Sequence, residues 1–218
     1  MYGLPQSTET KKQLPKKAIY AKFDLKPSQR ESFDADISRI DIVNVVSPTT
    51  IPAIAEGVEV KEFYVLEVQL KRRDYDINNI KLLTKLIQQR LVFALRENDA
   101  VQFVIYHTQI IKSEWLLNSP PELGGVPKGG GGLLTSNVAC LNLQGLNLDA
   151  VWENIVKQVG QIDIEEGNTL TEQIAKNDQR AKIEAKIKVL EARMAVEKQP
   201  RRKRDIFEEI KRLRQQLL

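Results

Sequence analysis

Two runs of apolar residues near the C-terminal end repeat at intervals of four and three: Ile183, Ile187, Leu190 and Met194, then Ile206, Ile210, Leu213 and Leu217. Residues spaced this way share one side of an α-helix, so each run is a narrow seam of the a/d kind. Continued at the same alternating spacing, the first seam would pass through Arg201 and Glu208 and miss Ile206 and Ile210, so the second is out of register with it. One straight coiled coil cannot serve both. Pro200 stands between them; it lacks an amide N–H and clashes inside a helix, yet suits the first turn of a new one. The pattern predicts two helices folded back as a coiled-coil hairpin, the first opening at the capping-box spacing Thr169 to Glu172. At 1.5 Å per residue, a first helix of about 30 residues is roughly 45 Å long, more than a domain core needs, so the hairpin is expected to project. Its seam outruns the return helix, leaving room for a partner helix or for homo-oligomerisation.

The turn of this hairpin, EKQPRRKRD, carries Lys198, Arg201, Arg202, Lys203 and Arg204, and Lys211, Arg212 and Arg214 follow. Residues 171–218 hold 14 Lys plus Arg against 8 Asp plus Glu, a net +6, whereas residues 1–170 hold 19 against 21, a net −2. The positive charge of the chain is therefore concentrated in the tail, where it can attract nucleic acid or an acidic protein. The same charges also fit a solvated hairpin tip. No aromatic residue interleaves EKQPRRKRD, so phosphate contacts are expected from it rather than base stacking.

Upstream of the tail, 42% hydrophobic residues in a 218-residue chain suffice for one domain with a buried core. The reading divides the chain into an irregular basic arm (1–25), an α/β domain (26–166) and the helical hairpin (167–218). No apolar run is long enough to cross a bilayer and the first residues lack an apolar stretch, so no membrane association and a cytoplasmic location are expected. A single cysteine, Cys140, and a single histidine, His107, give no zinc-ligand spacing, and no metal or cofactor is expected.

Within the domain, Pro27-Ser28 followed by Glu31 predicts a short helix to about Ile37, and IDIVNVV a strand closed by SPTTIP. EFYVLEVQLKRR alternates, with Tyr64, Leu66, Val68 and Leu70 on one face and Val65, Glu67, Gln69 and Lys71 on the other. Asp76 is placed to cap a helix running through INNIKLLTKLIQQ. RLVFALR and AVQFVIYH, joined by END, predict an antiparallel hairpin. NSPPELGGVPKGGGGLLTSN (118–137) is read as a flexible loop, and its four consecutive glycines are not a phosphate-binding loop because Lys128 precedes them and nothing helical follows at the required offset. VACLNL is read as a short strand and LDAVWENIVKQV as an amphipathic helix. The expected fold class is α/β (α+β): a mixed sheet of four or five strands with packed helices, then the projecting hairpin.

MYGLPQST with LPKKAIYAKF, PTTIPAIAEGVEVKEFYVLEVQLK, LQGLNLDAVWENIVKQV and KIKVLEARMAVEKQPRRKRDIFEEIKRL together resemble a bacterial family known only as a domain of unknown function. The resemblance spans nearly the whole chain and implies an accessory role near DNA, because members are often encoded beside helicase and methyltransferase genes of restriction and phage-defence loci. It brings no catalytic motif. Relatives commonly carry an aromatic residue in the EKQ turn, where this chain has Pro200.

Three function classes follow. The first is a non-enzymatic accessory subunit that docks to DNA or to a larger helicase- or methyltransferase-type protein through the basic tail. The second is a Mg²⁺-dependent nuclease with a restriction-endonuclease-like core: Asp41 and Glu67 would hold the metal, with Gln69 and Lys71 on the same strand face. The spacing departs from that core, in which the lysine stands two residues after the acid; here Gln69 occupies that place. The third is a structural oligomerisation protein. His107 has no acid or cysteine beside it in sequence and is read as structural, and one of Trp115 and Trp152 is expected in the core.

Overall fold

The computed structural model describes residues 1–85, 88–118, 138–165 and 167–217. The chain divides into two compact units, Met1–Ile162 and Asp163–Leu218. In the first, the elements run β1 (Glu9–Gln13), α1 (Lys16–Phe23), α2 (Pro27–Asp36), β2 (Ile37–Val46), β3 (Phe63–Leu70), α3 (Ile77–Leu83), β4 (Arg90–Glu97), β5 (Ala100–Tyr106), β6 (Ile110–Leu117) and α4 (Leu148–Gly160). The six strands lie side by side in chain order in one mixed sheet, with β3 and β4 parallel and every other neighbouring pair antiparallel. A parallel pair needs a crossover, and α3 lies within the one joining β3 to β4.

The alternation of β3 decides which face is buried against which helices. Leu66, Val68 and Leu70 point into a core with Ile40 of β2, Phe93 and Leu95 of β4, Ile19 of α1, Phe33 of α2, and Ile80 and Leu83 of α3. Burying a side chain of this size contributes roughly 1.5–3 kcal/mol, so this cluster dominates the stability of the unit. On the opposite face Phe63 meets Trp152 of α4, ring centroids 5.6 Å apart. Trp152 is the core tryptophan; Trp115 lies under the guanidinium of Arg73, 5.4 Å away.

Asp36 fixes the junction of α2, β2 and α3. Its carboxylate, fully buried, accepts from Arg72 Nη2 at 2.7 Å, the Asp76 amide at 2.8 Å and Asn79 Nδ2 at 2.9 Å. Burial favours its neutral form, but these donors outweigh burial and hold the carboxyl below its ordinary range. One residue thereby orients the start of α3, where Asp76 caps Asn78 N–H at 2.9 Å as its position predicts.

The sheet has six strands where four or five were expected. The two added are the outermost: β1, read as irregular arm, and β6, whose IIKSEWLL breaks strict alternation. The first 25 residues are accordingly no loose arm. Tyr2, Leu4, Ile19 and Leu25 are buried, and their apolar contacts hold the segment in place. VACLNL forms no strand; Val138 makes only an isolated bridge to Leu117. Helix α2 is capped at Lys26 rather than Ser28, because Pro27 occupies the first helical position and Gln29 Oε1 accepts from the Lys26 amide at 3.1 Å. Helix α3 ends at Leu83, short of the expected Gln89; Leu86 and Ile87, like residues 119–137 of the predicted loop, lie outside the described residues.

The second unit contains α5 (Leu170–Val196) and α6 (Pro200–Gln215), with Pro200 at the first position of α6. Thr169 and Glu172 form the expected capping box, the Glu172 carboxylate accepting from the Thr169 amide at 2.9 Å. The two helices pack on each other through Ile187, Leu190, Ile206 and Ile210, with Ile183, Met194, Leu213 and Leu217 around them, so the eight seam residues form one cluster. Lys186 and Glu209, 2.8 Å apart, and Glu191 and Arg214, 2.7 Å apart, link the helices beside it. Among the described residues, no helix is long and apolar enough to cross a membrane.

Candidate functional site

Two sets of residues come forward from the sequence, one in each unit. In the first unit, Asp41 on β2 lies directly opposite Glu67 on β3, and Arg39 opposite Gln69. Two like charges face to face on antiparallel strands repel, so each needs a counter-charge. Asp41 receives both Arg39 Nε at 2.6 Å and Arg39 Nη2 at 2.9 Å. Glu67 accepts from the Tyr2 hydroxyl and lies 3.7 Å from Arg96 Nη1. Burial first, then the charge and hydrogen bond of Glu67, push the Tyr2 phenol well above the ordinary tyrosine value.

Lys71 stands apart from this set. Its ammonium donates to the Asp34 carbonyl at 2.6 Å and its amide to the Asp36 carbonyl at 2.8 Å. Strand geometry thus brings Asp41, Glu67 and Gln69 together and sends Lys71 to the α2 junction. Both carboxylates already have cationic or phenolic partners, and among the described residues no three His, Cys, Asp or Glu side chains converge as metal ligands. The sheet face reads chemically as a neutralised charge pair that fastens Tyr2 to the strands.

In the second unit the charges are distributed differently along the two helices. On α5, Lys176, Arg180, Lys182 and Lys186 pair with carboxylates, whereas Lys188 and Arg193 farther along do not among the described residues. At the turn and along α6, Arg214 is paired, but Lys198, Arg201, Arg202, Lys203, Arg204, Lys211 and Arg212 make no ion pair among the described residues. The first turn of α6 has no acidic residue and no side-chain cap. Cations there face the positive end of the helix dipole, an arrangement that costs stability and that a bound anion would relieve. Of the acids nearby, Asp205 and Glu208 make no ion pair among the described residues, and Glu197 accepts from the Gln199 amide at 2.9 Å, which holds its carboxyl below the ordinary range and fastens the turn. At 100° per residue, Arg201, Arg204 and Lys211 span roughly 80° of the side away from the seam and about 15 Å along the axis.

The family described as domain of unknown function DUF4391 matches residues 2–217. The chain belongs to it. No curated protein and no solved structure matches this DUF4391 chain. The family description assigns no activity.

Sequence reading of the DUF4391 chain missed two features of these sites. Tyr2 gave no signal, since nothing local places residue 2 on a strand more than sixty residues away. Phe207 was passed over although it stands one helical turn from both Lys203 and Lys211; it is 53% exposed. His107 is half-buried, and burial, with Arg90 nearby, pushes its imidazole below the ordinary range.

Proposed function

We propose that this protein is a non-enzymatic accessory subunit of a bacterial, cytoplasmic DNA-related assembly of the restriction or phage-defence type, and that α5 and α6 act as a coiled-coil arm gripping DNA through the basic start of α6. The observation that carries this reading is the contrast within the second unit: the lysines and arginines along the first part of α5 are neutralised, whereas seven around the turn and on α6 are not. Unpaired cations at a capless helix start are costly in isolation and favourable against phosphate. The resemblance to proteins encoded beside helicases and methyltransferases supports the same setting, with such an enzyme as the larger partner.

The nuclease reading draws less support, because Glu67 is engaged by Tyr2 and Arg96 and Lys71 by backbone carbonyl oxygen. The test is fluorescence anisotropy with labelled duplex DNA over a range of salt concentrations. Affinity should fall linearly on a log–log plot, by about 0.9 per phosphate contacted. Salt-independent binding, or none at low salt, overturns the reading.

A further inference from the structure

Helix α5 carries a second apolar stripe that α6 does not cover. Ala185, Val189, Ala192 and Val196 recur at intervals of four, three and four, the same spacing as the buried seam. All four are exposed, Val189 to 67% and Val196 to 76%. At 100° per residue the four fall within roughly 60° of one another and about 150° from Ile183, Ile187, Leu190 and Met194. Single exposed valines are ordinary, but valine is a poorer helix former than alanine or lysine, so local propensity does not account for two of them on this period. The pair of alanines keeps the stripe low, which lets a second backbone approach closely.

The charges beside the stripe select the occupant. Lys188 flanks one side and Lys182 and Arg193 the other; Lys188 and Arg193 have no ion pair among the described residues, and Lys182 holds Asp178 at 2.6 Å. The acids of this stretch are already engaged, Glu191 by Arg214 of α6 and Glu184 by Arg180 of the same helix. A second copy of α5 would bring lysine and arginine against lysine and arginine in either orientation, which is destabilising at flanking positions. A helix with carboxylates at those positions would be attracted.

We infer that this face of α5 docks an amphipathic helix of a partner protein whose apolar stripe is bordered by Asp and Glu. The contact is separate from the unpaired cations of α6, so one helix pair can hold an acidic protein helix on one side and a polyanion on another.

The test titrates the full chain into a labelled three-heptad peptide with Leu at a and d and Glu at the flanking positions, beside a matched peptide with Lys there. The Glu peptide should bind about tenfold or more tighter than the Lys peptide, and increasingly weakly as salt rises. The double variant Val189→Glu, Val196→Glu, at exposed sites where Glu is the better helix former, should lose that binding by about tenfold or more. Its far-UV circular dichroism and its DNA affinity should match those of the parent chain. Equal binding of the two peptides, no binding of either, or binding indifferent to the double substitution overturns the inference. So does a parent chain that sediments as a dimer which the double substitution splits, since the occupant is then a second copy.

Discussion

The hydroxyl of Tyr2 donates to the carboxylate of Glu67, joining the second residue of the chain to the middle of the sheet. The same tyrosine stacks edge-on against Phe103 of β5, centroids 5.6 Å apart, and its carbonyl accepts from the Leu141 amide at 2.9 Å. Three separate stretches of sequence therefore depend on one side chain and its backbone.

Removing only that hydroxyl should show its contribution. Tyr2→Phe keeps the packing on Phe103 but leaves the partly buried Glu67 with Arg96 as its remaining partner, so a loss of about 1–2 kcal/mol is expected. Urea denaturation should show a lower midpoint at an unchanged slope. Parent-like stability would mean that the bond contributes nothing net.

The phenols set the alkaline limit. The folded-state values of Tyr2, Tyr64 and Tyr75 lie above the ordinary one; a hydrogen bond to Glu62 and burial push Tyr64 up to about 12, and burial pushes Tyr75 up to about 12. A raised folded value means that the unfolded chain gives up its protons first, so this stability is complete below about pH 10 and lost as pH rises beyond it. Melting temperature followed between pH 8 and pH 12 should fall in the upper half of that window, less steeply in Tyr2→Phe.

Asp36 sets the acid limit in the opposite sense. Its folded value is depressed, so its contribution is present above the unfolded value of about 3.9 and fades as pH drops below it. Asp36→Asn leaves Arg72 without its charge partner and the Asp76 amide with a weaker acceptor. A loss of about 3 kcal/mol is expected at neutral pH, with acid sensitivity reduced. Arg72 is more than half exposed, so most of that loss belongs to the buried carboxylate rather than to the ion pair.

In the second unit the DNA-gripping reading depends on α6 staying packed on α5. Ile210→Ala should cost about 2–4 kcal/mol of that packing, since Ile210 is 4% exposed and sits in a cluster of only four buried residues. Hydrogen exchange should accelerate in α5 and α6 and stay slow in β3 and β4. Arg201→Glu with Arg204→Glu should leave exchange unchanged while flattening the salt dependence of DNA binding by about two phosphate contacts.

Millimolar Mg²⁺ bears on the sheet face. With Asp41 held by Arg39 and Glu67 by Tyr2 and Arg96, the melting temperature should not move on addition of the ion. A rise of several degrees would show that the carboxylates exchange these partners for metal.

What the sequence revealed depended on how much a residue owes to its neighbours along the chain. The alternation of β3, the Asp76 cap, the Thr169 capping box and the paired seams around Pro200 are local patterns, and each reappears in the structure. The tight β4–β5 turn was legible too: Asn98 takes a left-handed conformation that asparagine tolerates. The outer strands were not, because strands at the rim of a sheet carry polar residues that disguise them, as ETKKQ does in β1. Asp41 and Glu67 could be assigned to neighbouring strands from pattern alone. Their partners could not, since Tyr2 and Arg96 reach them only through tertiary pairing.

The lysines of β1 carry a consequence for how the molecule behaves in a crowd. β1 is an outermost strand, and Lys11 and Lys12 are exposed on it. A second sheet laid alongside would have to crowd ammonium groups together, so the rim that could template ribbon growth refuses its own kind. Exchanging both lysines for valine would leave the fold's interior untouched and should make the protein gel at a lower concentration than the parent chain.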